Sequence, residues 1–318
     1  MRCFLYTFYV NLQKIGKLRS GEFAIVVPTR NRSTLLAGLI TNLERAYKKP
    51  IVVVIIDSSD DCLLRETSSN VLNLFTIRTH IQSAAQQRNL GLQYIFGNPI
   101  VNKVNYISFL DDDVRVSPDY LQKLQTIFDK FPNAVGVSGY ARNELHRVQK
   151  RTKIRDFIGI TGAPGTLTRA AVNISPFGIQ SIQEVEWLIG CSSWRLDAIR
   201  ELRFESDFNG HSLFEDVIFS SNARKKGQLL FDPTLELEHF LESEKSGNIK
   251  KHHLDWIKNR YRIFEYGVPN LSKVRFWALA LVLITAAAGK AIFSKRDRKK
   301  LIGLLLGTFT TMRGLLLK

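Results

Sequence analysis

A chain of 318 residues that is 45% apolar and 23% charged has the composition of a packed globular protein, one large domain or two modest ones. That composition excludes a disordered chain, a collagen-like fibre and a small disulfide scaffold. The formal charge of +16 is unevenly placed: residues 245–318 hold 16 basic and 3 acidic groups, whereas residues 1–244 hold 29 and 26. A nearly neutral body therefore carries a basic tail. Cys3, Cys62 and Cys191 form no CxxC pair, which argues against a disulfide framework or a zinc site and fits a reducing compartment.

The opening stretch MRCFLYTFYVNLQKIGK has one early charge and a short apolar run. It lacks a small-residue cleavage site and is too short to span a bilayer, so it reads as a docking segment on a body that faces cytosol. Phe23–Val27 and Ile51–Ile56 are continuous branched apolar runs, one ended by Pro28 and the other by Asp57. Such runs predict strands buried on both faces, as in a parallel sheet. Between them, Leu35, Leu36, Leu39, Ile40 and Leu43 recur at helical spacing within Ser33–Tyr47, which completes a βαβ unit. Leu72–Arg78 predicts a third strand, and Ala84–Phe96 a helix stopped by Gly97-Asn98-Pro99. Tyr106–Leu110 predicts a strand running into Asp111, Asp112 and Asp113. Ser117-Pro118 opens a helix reaching Phe128, and Ala134–Tyr140 is a further strand. Ala141–Ile174 is less regular, crowded by basic residues from Arg147 to Arg155, and reads as a mobile loop region. A strand near Glu186–Gly190, a helix at Arg195–Glu201 and a helix at Glu215–Lys226 follow, and past Asp255 the chain turns helical, basic and aliphatic.

In open α/β sheets the ligand crevice lies at the C-terminal ends of the strands. Asp57 ends the second strand, and Asp111–Asp113 end the fourth. Three adjacent aspartates repel one another, and a hard divalent ion bound through oxygen, Mg²⁺ or Mn²⁺, is the simplest compensation and would bridge to a diphosphate. A solvated acidic turn is the competing reading of the trio.

Taken together, the ordered motifs FAIVVPTRNR (Phe23–Arg32), IDSSDD (Ile56–Asp61), AAQQRNLGL (Ala84–Leu92), ISFLDDDV (Ile107–Val114), GCSSWRLDAIRELRFESDF (Gly190–Phe208) and LFEDVIFSSNARKKG (Leu213–Gly227) resemble those of a family 2 glycosyltransferase of the GT-A fold. The resemblance runs from about Phe23 to Arg262. It implies an α/β fold with a Rossmann-like, mostly parallel sheet flanked by helices. It further implies that Pro28, Thr29, Arg30 and Asn31 line a nucleotide pocket, that Asp57 holds the base, and that Arg88 and Asn89 help close the pocket. Asp111 would lie by the ribose with Asp112 next to it, and Asp113, with Asp111 and His239, would hold the metal. Asp216 would be the general base, with Glu215 its neighbour, in an inverting transfer from a nucleotide sugar to a glycan or lipid-linked hydroxyl. Two departures stand out. The family's Asp-Asp-Gly-Ser is here Asp-Ser-Ser-Asp-Asp, so Asp57 or a later aspartate could make the base contact. The segment between Asp113 and Gly190 aligns loosely.

Plainer roles compete at several positions. Glu215 and Asp216 could complement a helix dipole, His239 could be an ordinary half-buried histidine, and Arg88 a surface salt-bridge partner. Trp187 and Trp194 could be core or pocket walls. A sugar-phosphate nucleotidylyltransferase would need a glycine-rich turn near the first strand, and PTRNRS has none. A basic membrane-binding protein with a degenerate transferase body is opposed by the intact DDD and Glu-Asp pairs.

The tail holds two uncharged stretches, Phe276–Gly289 and Leu301–Met312, around Lys295-Arg-Asp-Arg-Lys-Lys300. Neither stretch reaches the ~20 residues of a spanning helix. Short apolar helices flanked by Lys and Arg suit an anchor on an anionic membrane surface. Nucleic acid is not expected, because the basic residues interleave with Leu, Ile and Ala and not with stacking aromatics. The expected organisation is an N-terminal segment (1–20), a transferase domain (21–245, with halves 21–140 and 175–245) and a helical membrane-associating region (246–318). The enzyme would be cytoplasmic, peripheral or monotopic at the cytosolic face of a membrane.

Overall fold

The structure, a computed structural model, describes residues 23–60, 68–98, 103–141, 156, 158–206, 213–240 and 248–316. The expected N-terminal docking segment, Cys3, Cys62, Asp61 and the basic run Arg147–Arg155 lie outside the described residues. By its internal contacts the chain divides into two compact units, residues 1–145 with 179–240, and residues 146–178 with 241–318.

In the first unit the two branched runs become β1 (Phe23–Thr29) and β2 (Val52–Asp57), buried at every position. They pair in parallel, with β3 (Leu74–Arg78) outside β2 and β4 (Tyr106–Phe109) outside β1, also parallel. Antiparallel strands then enter the sheet. β5 (Val114–Val116), β6 (Ala134–Ala141), β7 (Gln183–Glu184), β8 (Ser192–Arg195) and β9 (Gln228–His239) complete the order β3-β2-β1-β4-β8-β6-β9-β5, with β7 alongside β9. β6 and β9 are parallel, whereas β8 runs against both β4 and β6, and β9 against β5.

Alternation along β1 feeds two cores. Phe23, Ile25 and Val27 meet Leu36, Leu39, Ile40 and Leu43 of α1 (Ser33–Glu44) on one face, while Ala24 and Val26 meet Ala85, Leu92 and Ile95 of α2 (Ala84–Gly97) on the other. Each such leucine or isoleucine contributes about 1.5–3 kcal/mol by leaving water. Gly91 lets α2 close on the sheet, since a Cβ there would lie 2.4 Å from Val26 Cγ1. The first core is completed by Tyr120, Leu121, Leu124, Ile127 and Phe128, all buried on α3 (Tyr120–Lys130). α4 (Glu215–Ala223) is seated by Phe219, which meets Trp194 edge-on at 5.0 Å and stacks on Phe204 at 4.0 Å. Trp194 and Trp187 are both buried.

Several element expectations are corrected. Glu186–Gly190 is not a strand: Leu188 is buried and donates its N–H to the Ser220 side chain instead of a ladder. Arg195–Glu201 is not a helix: Arg195 ends β8 with its guanidinium drawn to the Phe128 and Ala134 carbonyls, and turns follow from Leu196, whose N–H binds the Asn105 carbonyl. α3 starts at Tyr120 and not at Ser117, whose hydroxyl binds Asp119 in a preceding turn.

The second unit is built on α5 (Ile249–Glu265), α6 (Lys273–Ala291) and α7 (Lys295–Leu316). Ile257 and Tyr261 of α5, Phe276, Ala280 and Ala287 of α6 and Leu304 of α7 form its core. The described part of 158–178, expected in the transferase domain, packs here. Buried Arg260 donates to the Ala171 carbonyl at 2.6 Å and covers the Trp256 ring at 3.9 Å, and the Ser272 N–H reaches the Arg169 carbonyl at 2.7 Å. Burial pulls the Arg260 guanidinium down to about 9.

Candidate active site

The C-terminal ends of β1, β2 and β4 and the start of α4 bring the acidic motifs together. Asp57 is fully buried, and both of its oxygens are engaged: Arg78 binds one at 2.6 Å, and the N–H and hydroxyl of Ser59 bind the other at 2.9 and 2.5 Å. The exposed carboxylate in this loop is Asp60, held by Asn31 at 2.7 Å and by Arg30 at 3.1 Å. Asn31 has φ of 55°, the left-handed region that asparagine tolerates, and in this turn its backbone N–H donates to the Ser59 hydroxyl while its side-chain oxygen accepts from the Asp60 N–H. Gln87 ties the strand ends by donating to the carbonyls of Thr29 and Ile56. Pro28, expected to end the first strand, lies inside β1 opposite Ile56, and the pairing runs on to Thr29 and Asp57.

The aspartate trio splits. Asp112 and Asp113 are buried and share Arg32 at 3.2 and 3.1 Å, and Asp112 also accepts from the Thr29 hydroxyl at 2.6 Å. Burial raises the Asp112 carboxyl to about 6 despite Thr29 and Arg32. Asp113 is raised too, first by burial and then by Asp111. The Asp111 side chain is 35% exposed and binds Arg88 at 2.9 Å. The antiparallel pairing of β5 with β9 sets His239 opposite Val114, and the Phe240 N–H binds the Asp113 carbonyl at 2.6 Å. As a result, ligand atoms of Asp111, His239 and Cys191 lie within 4.8 Å of one another.

Arg88 is the hub. Its guanidinium is buried and forms ion pairs with Asp111 and with Glu215 at the start of α4. Burial alone would pull Arg88 down, but the carboxylates of Glu215, Asp111 and Asp216 outweigh it and hold it above its ordinary value. Glu215 is raised to about 7 and Asp216 to about 6, both by burial before any other cause and against the pull of Arg88. Phe214, just before them, has φ of 73°, a costly conformation for a bulky residue. That sharp turn presents Glu215 inward to Arg88 and leaves Asp216 partly exposed. Asn89, expected near the nucleotide, instead binds the Phe204 backbone through both amide groups, at 2.7 and 2.8 Å.

Arg32, Arg78, Gln87 and Cys191 carry no assignment from the sequence. Arg32, Gln87 and Cys191 lie inside the quoted motifs, and charge compensation of DDD was the available signal for Arg32; the other contacts require the fold.

The class comes first from architecture. Staphylococcus aureus TarS 1–349 in complex with UDP-GlcNAc superposes with a TM-score of 0.56 at 15% identity, covering 89% of this chain and 79% of that one. The mannosyltransferase PcManGT from Pyrobaculum calidifontis in complex with GDP-Man and Mn²⁺ gives 0.56 at 13%, covering 95% and 91%. The fold is therefore GT-A. The family model for Glycosyl transferase family 2 matches residues 24–180. An uncharacterized glycosyltransferase of Haemophilus influenzae is 26% identical over 112 residues, or 35% of each chain, so the match spans about a third of that relative; this chain covers 44% of a longer TarS structure. Just under half of the chain thus matches glycosyl transferase family 2, within a GT-A fold.

Proposed function

We propose that this protein transfers a sugar from a nucleoside diphosphate sugar to a hydroxyl of a glycan or lipid-linked acceptor, inverting the anomeric centre. The observation that carries the reading is Arg88, which joins the aspartate trio to the Glu215–Asp216 pair through one buried guanidinium. Donor-side and acceptor-side carboxylates thus sit on a common anchor, as a reaction joining two substrates requires.

The donor set fits a divalent ion. Asp111 and His239 would hold it, with Asp113 beside them and the buried Cys191 thiol in the same cluster; the oxygen and imidazole ligands suit Mn²⁺ or Mg²⁺. When bound, the ion neutralises charge on the departing diphosphate. Asp216, partly exposed, takes the proton of the acceptor hydroxyl as its oxygen bonds to the anomeric carbon and the nucleoside diphosphate leaves from the opposite face. A carboxyl held at about 6 is mostly ionised at neutral pH and is a stronger base than an ordinary aspartate. Glu215 does not face the acceptor; it holds Arg88. The UDP-GlcNAc and GDP-Man complexes of the structural neighbours support a nucleotide-sugar donor.

Thermal-shift titration with UDP-, GDP- and dTDP-sugars tests this. The expected result is stabilisation by one nucleotide class, strengthened by Mn²⁺ and lost in Asp111→Asn. No stabilisation by any nucleotide sugar, with or without metal, would overturn the reading.

A further inference from the structure

We infer that the helices of the second unit form a monotopic docking platform for an anionic lipid bilayer, lying in the interface and not crossing it. α6 is 19 residues long, with a mean hydropathy of 1.5 over its most apolar window, of which 28% is buried. At about 1.5 Å per residue it nearly matches the ~30 Å hydrocarbon core, so length alone permits a span.

Packing decides against it. The buried side of α6 is joined to Ile257 and Tyr261 of α5, and α5 exposes Lys250, Lys251, Lys258 and Glu265. Four exposed charged groups cannot follow α6 into hydrocarbon without large cost. α5 therefore marks the watery side of the unit.

The rotation of α7 is fixed against α5. A Cβ on Gly303 would lie 2.3 Å from the Lys250 carbonyl, and one on Gly307 2.9 Å from the Leu254 carbonyl, so the two helix backbones touch there. On the opposite side of α7, Ile302, Leu305, Phe309, Met312 and Leu316 recur at alternating three- and four-residue steps and are all exposed. α6 adds exposed Val274, Leu281 and Val282. At the connection between the helices, Ile292 and Phe293 are 73% and 87% exposed, and the next turn begins Lys295-Arg296-Asp297-Arg298-Lys299-Lys300.

An apolar stripe and tip beside a cluster of lysine and arginine is complementary to acyl chains under anionic head groups. A second copy of the chain is a poor match, because a two-fold contact would set one basic cluster against its twin. This inference stands apart from the transfer reading: a catalytically inactive chain would dock equally well.

The test is co-sedimentation of the full chain with phosphatidylcholine vesicles, with and without about 30% phosphatidylglycerol. Expected are at least about tenfold tighter binding to the anionic vesicles, release at about 0.5 M NaCl, and full extraction by alkaline carbonate. Replacing both Ile292 and Phe293 by Ser should weaken binding by about tenfold or more, and replacing Lys295, Lys299 and Lys300 by Gln should abolish the preference for anionic lipid. Thermal melting of each variant monitors folding, and the salt and carbonate results on the unaltered chain stand without them. No sedimentation with either vesicle overturns the inference. So does resistance to carbonate, which would mean a spanning helix, or a dimer in solution that dissociates in Phe309→Ser without any vesicle binding.

Discussion

Replacing Arg88 with Met removes the guanidinium that Glu215 and Asp111 share while keeping much of its apolar stem. Asp111, part-exposed, can be rehydrated, but Glu215 cannot: one of its oxygens is buried without a hydrogen-bond partner among the described residues even with Arg88 present. Breaking a buried pair from one side costs about 3–5 kcal/mol, because it strands the other charge. Glu215 would relieve that stranding by taking up a proton at neutral pH, since its carboxyl already sits at about 7 with Arg88 in place, which moves the expected loss toward the lower end of that range. The double variant Arg88→Met with Glu215→Leu removes both charges and should recover much of the loss, as apolar replacements of buried pairs do. Urea unfolding followed by circular dichroism at neutral pH reads both effects. A loss below about 1 kcal/mol in Arg88→Met, or a double variant no more stable than the single one, would refute the hub. The same carboxyl gives a pH signature. Its folded value of about 7 lies above the ordinary 4.5, so the stability it contributes by holding a proton is complete below 4.5 and is lost as pH rises through 7. The stability of the unaltered chain relative to Glu215→Gln should fall across that window, and a flat difference would show that Glu215 does not titrate there.

Asp216→Asn should retain donor binding and lose transfer by at least about 10²-fold. With the native residue, the transfer rate should rise with pH through about 6 as the carboxyl ionises; near-native turnover of the variant would remove Asp216 as the base. His239→Ala and Asp111→Asn should each weaken Mn²⁺ binding by about tenfold or more, read by titration calorimetry without substrate, and unchanged heats would reassign the ion. Arg32→Ala leaves Asp112 and Asp113 uncompensated and should tighten Mn²⁺ binding while lowering the melting temperature of the metal-free chain, with no change in either counting against the pairing. Gly139→Ala would place a Cβ 1.8 Å from the Leu235 carbonyl at the β6–β9 irregularity and should destabilise the sheet by about 1–3 kcal/mol; a neutral effect on urea unfolding would mean that the backbone yields.

The parallel half of the sheet was legible because β1 and β2 are buried on both faces, and that burial requires unbroken runs such as FAIVV and IVVVII. The α1 face was legible from its leucine spacing. The antiparallel insertions were not. β7 and β8 are two and four residues long, and Trp187 and Leu188 are buried without a strand, so an apolar stretch there carried no period to read. Likewise, α6 looked too short to span a membrane while its count stopped at Lys290; the structure runs the helix on to Ala291 and starts it at Lys273.

By itself the sequence determined which acidic groups exist, their position after strand ends, and the segregation of positive charge to residues 245–318, since all three follow from local order along the chain. Only the tertiary structure decided who partners whom. Arg88 reaches Glu215 across 127 positions, and strand register brings His239 beside Asp111. It likewise turned Asp57 into a fully engaged buried carboxylate and left Asp60 open to solvent. Ion pairing and burial depend on distances that no local pattern encodes, so the chemistry of each carboxylate was set when the strands and α4 closed around Arg88.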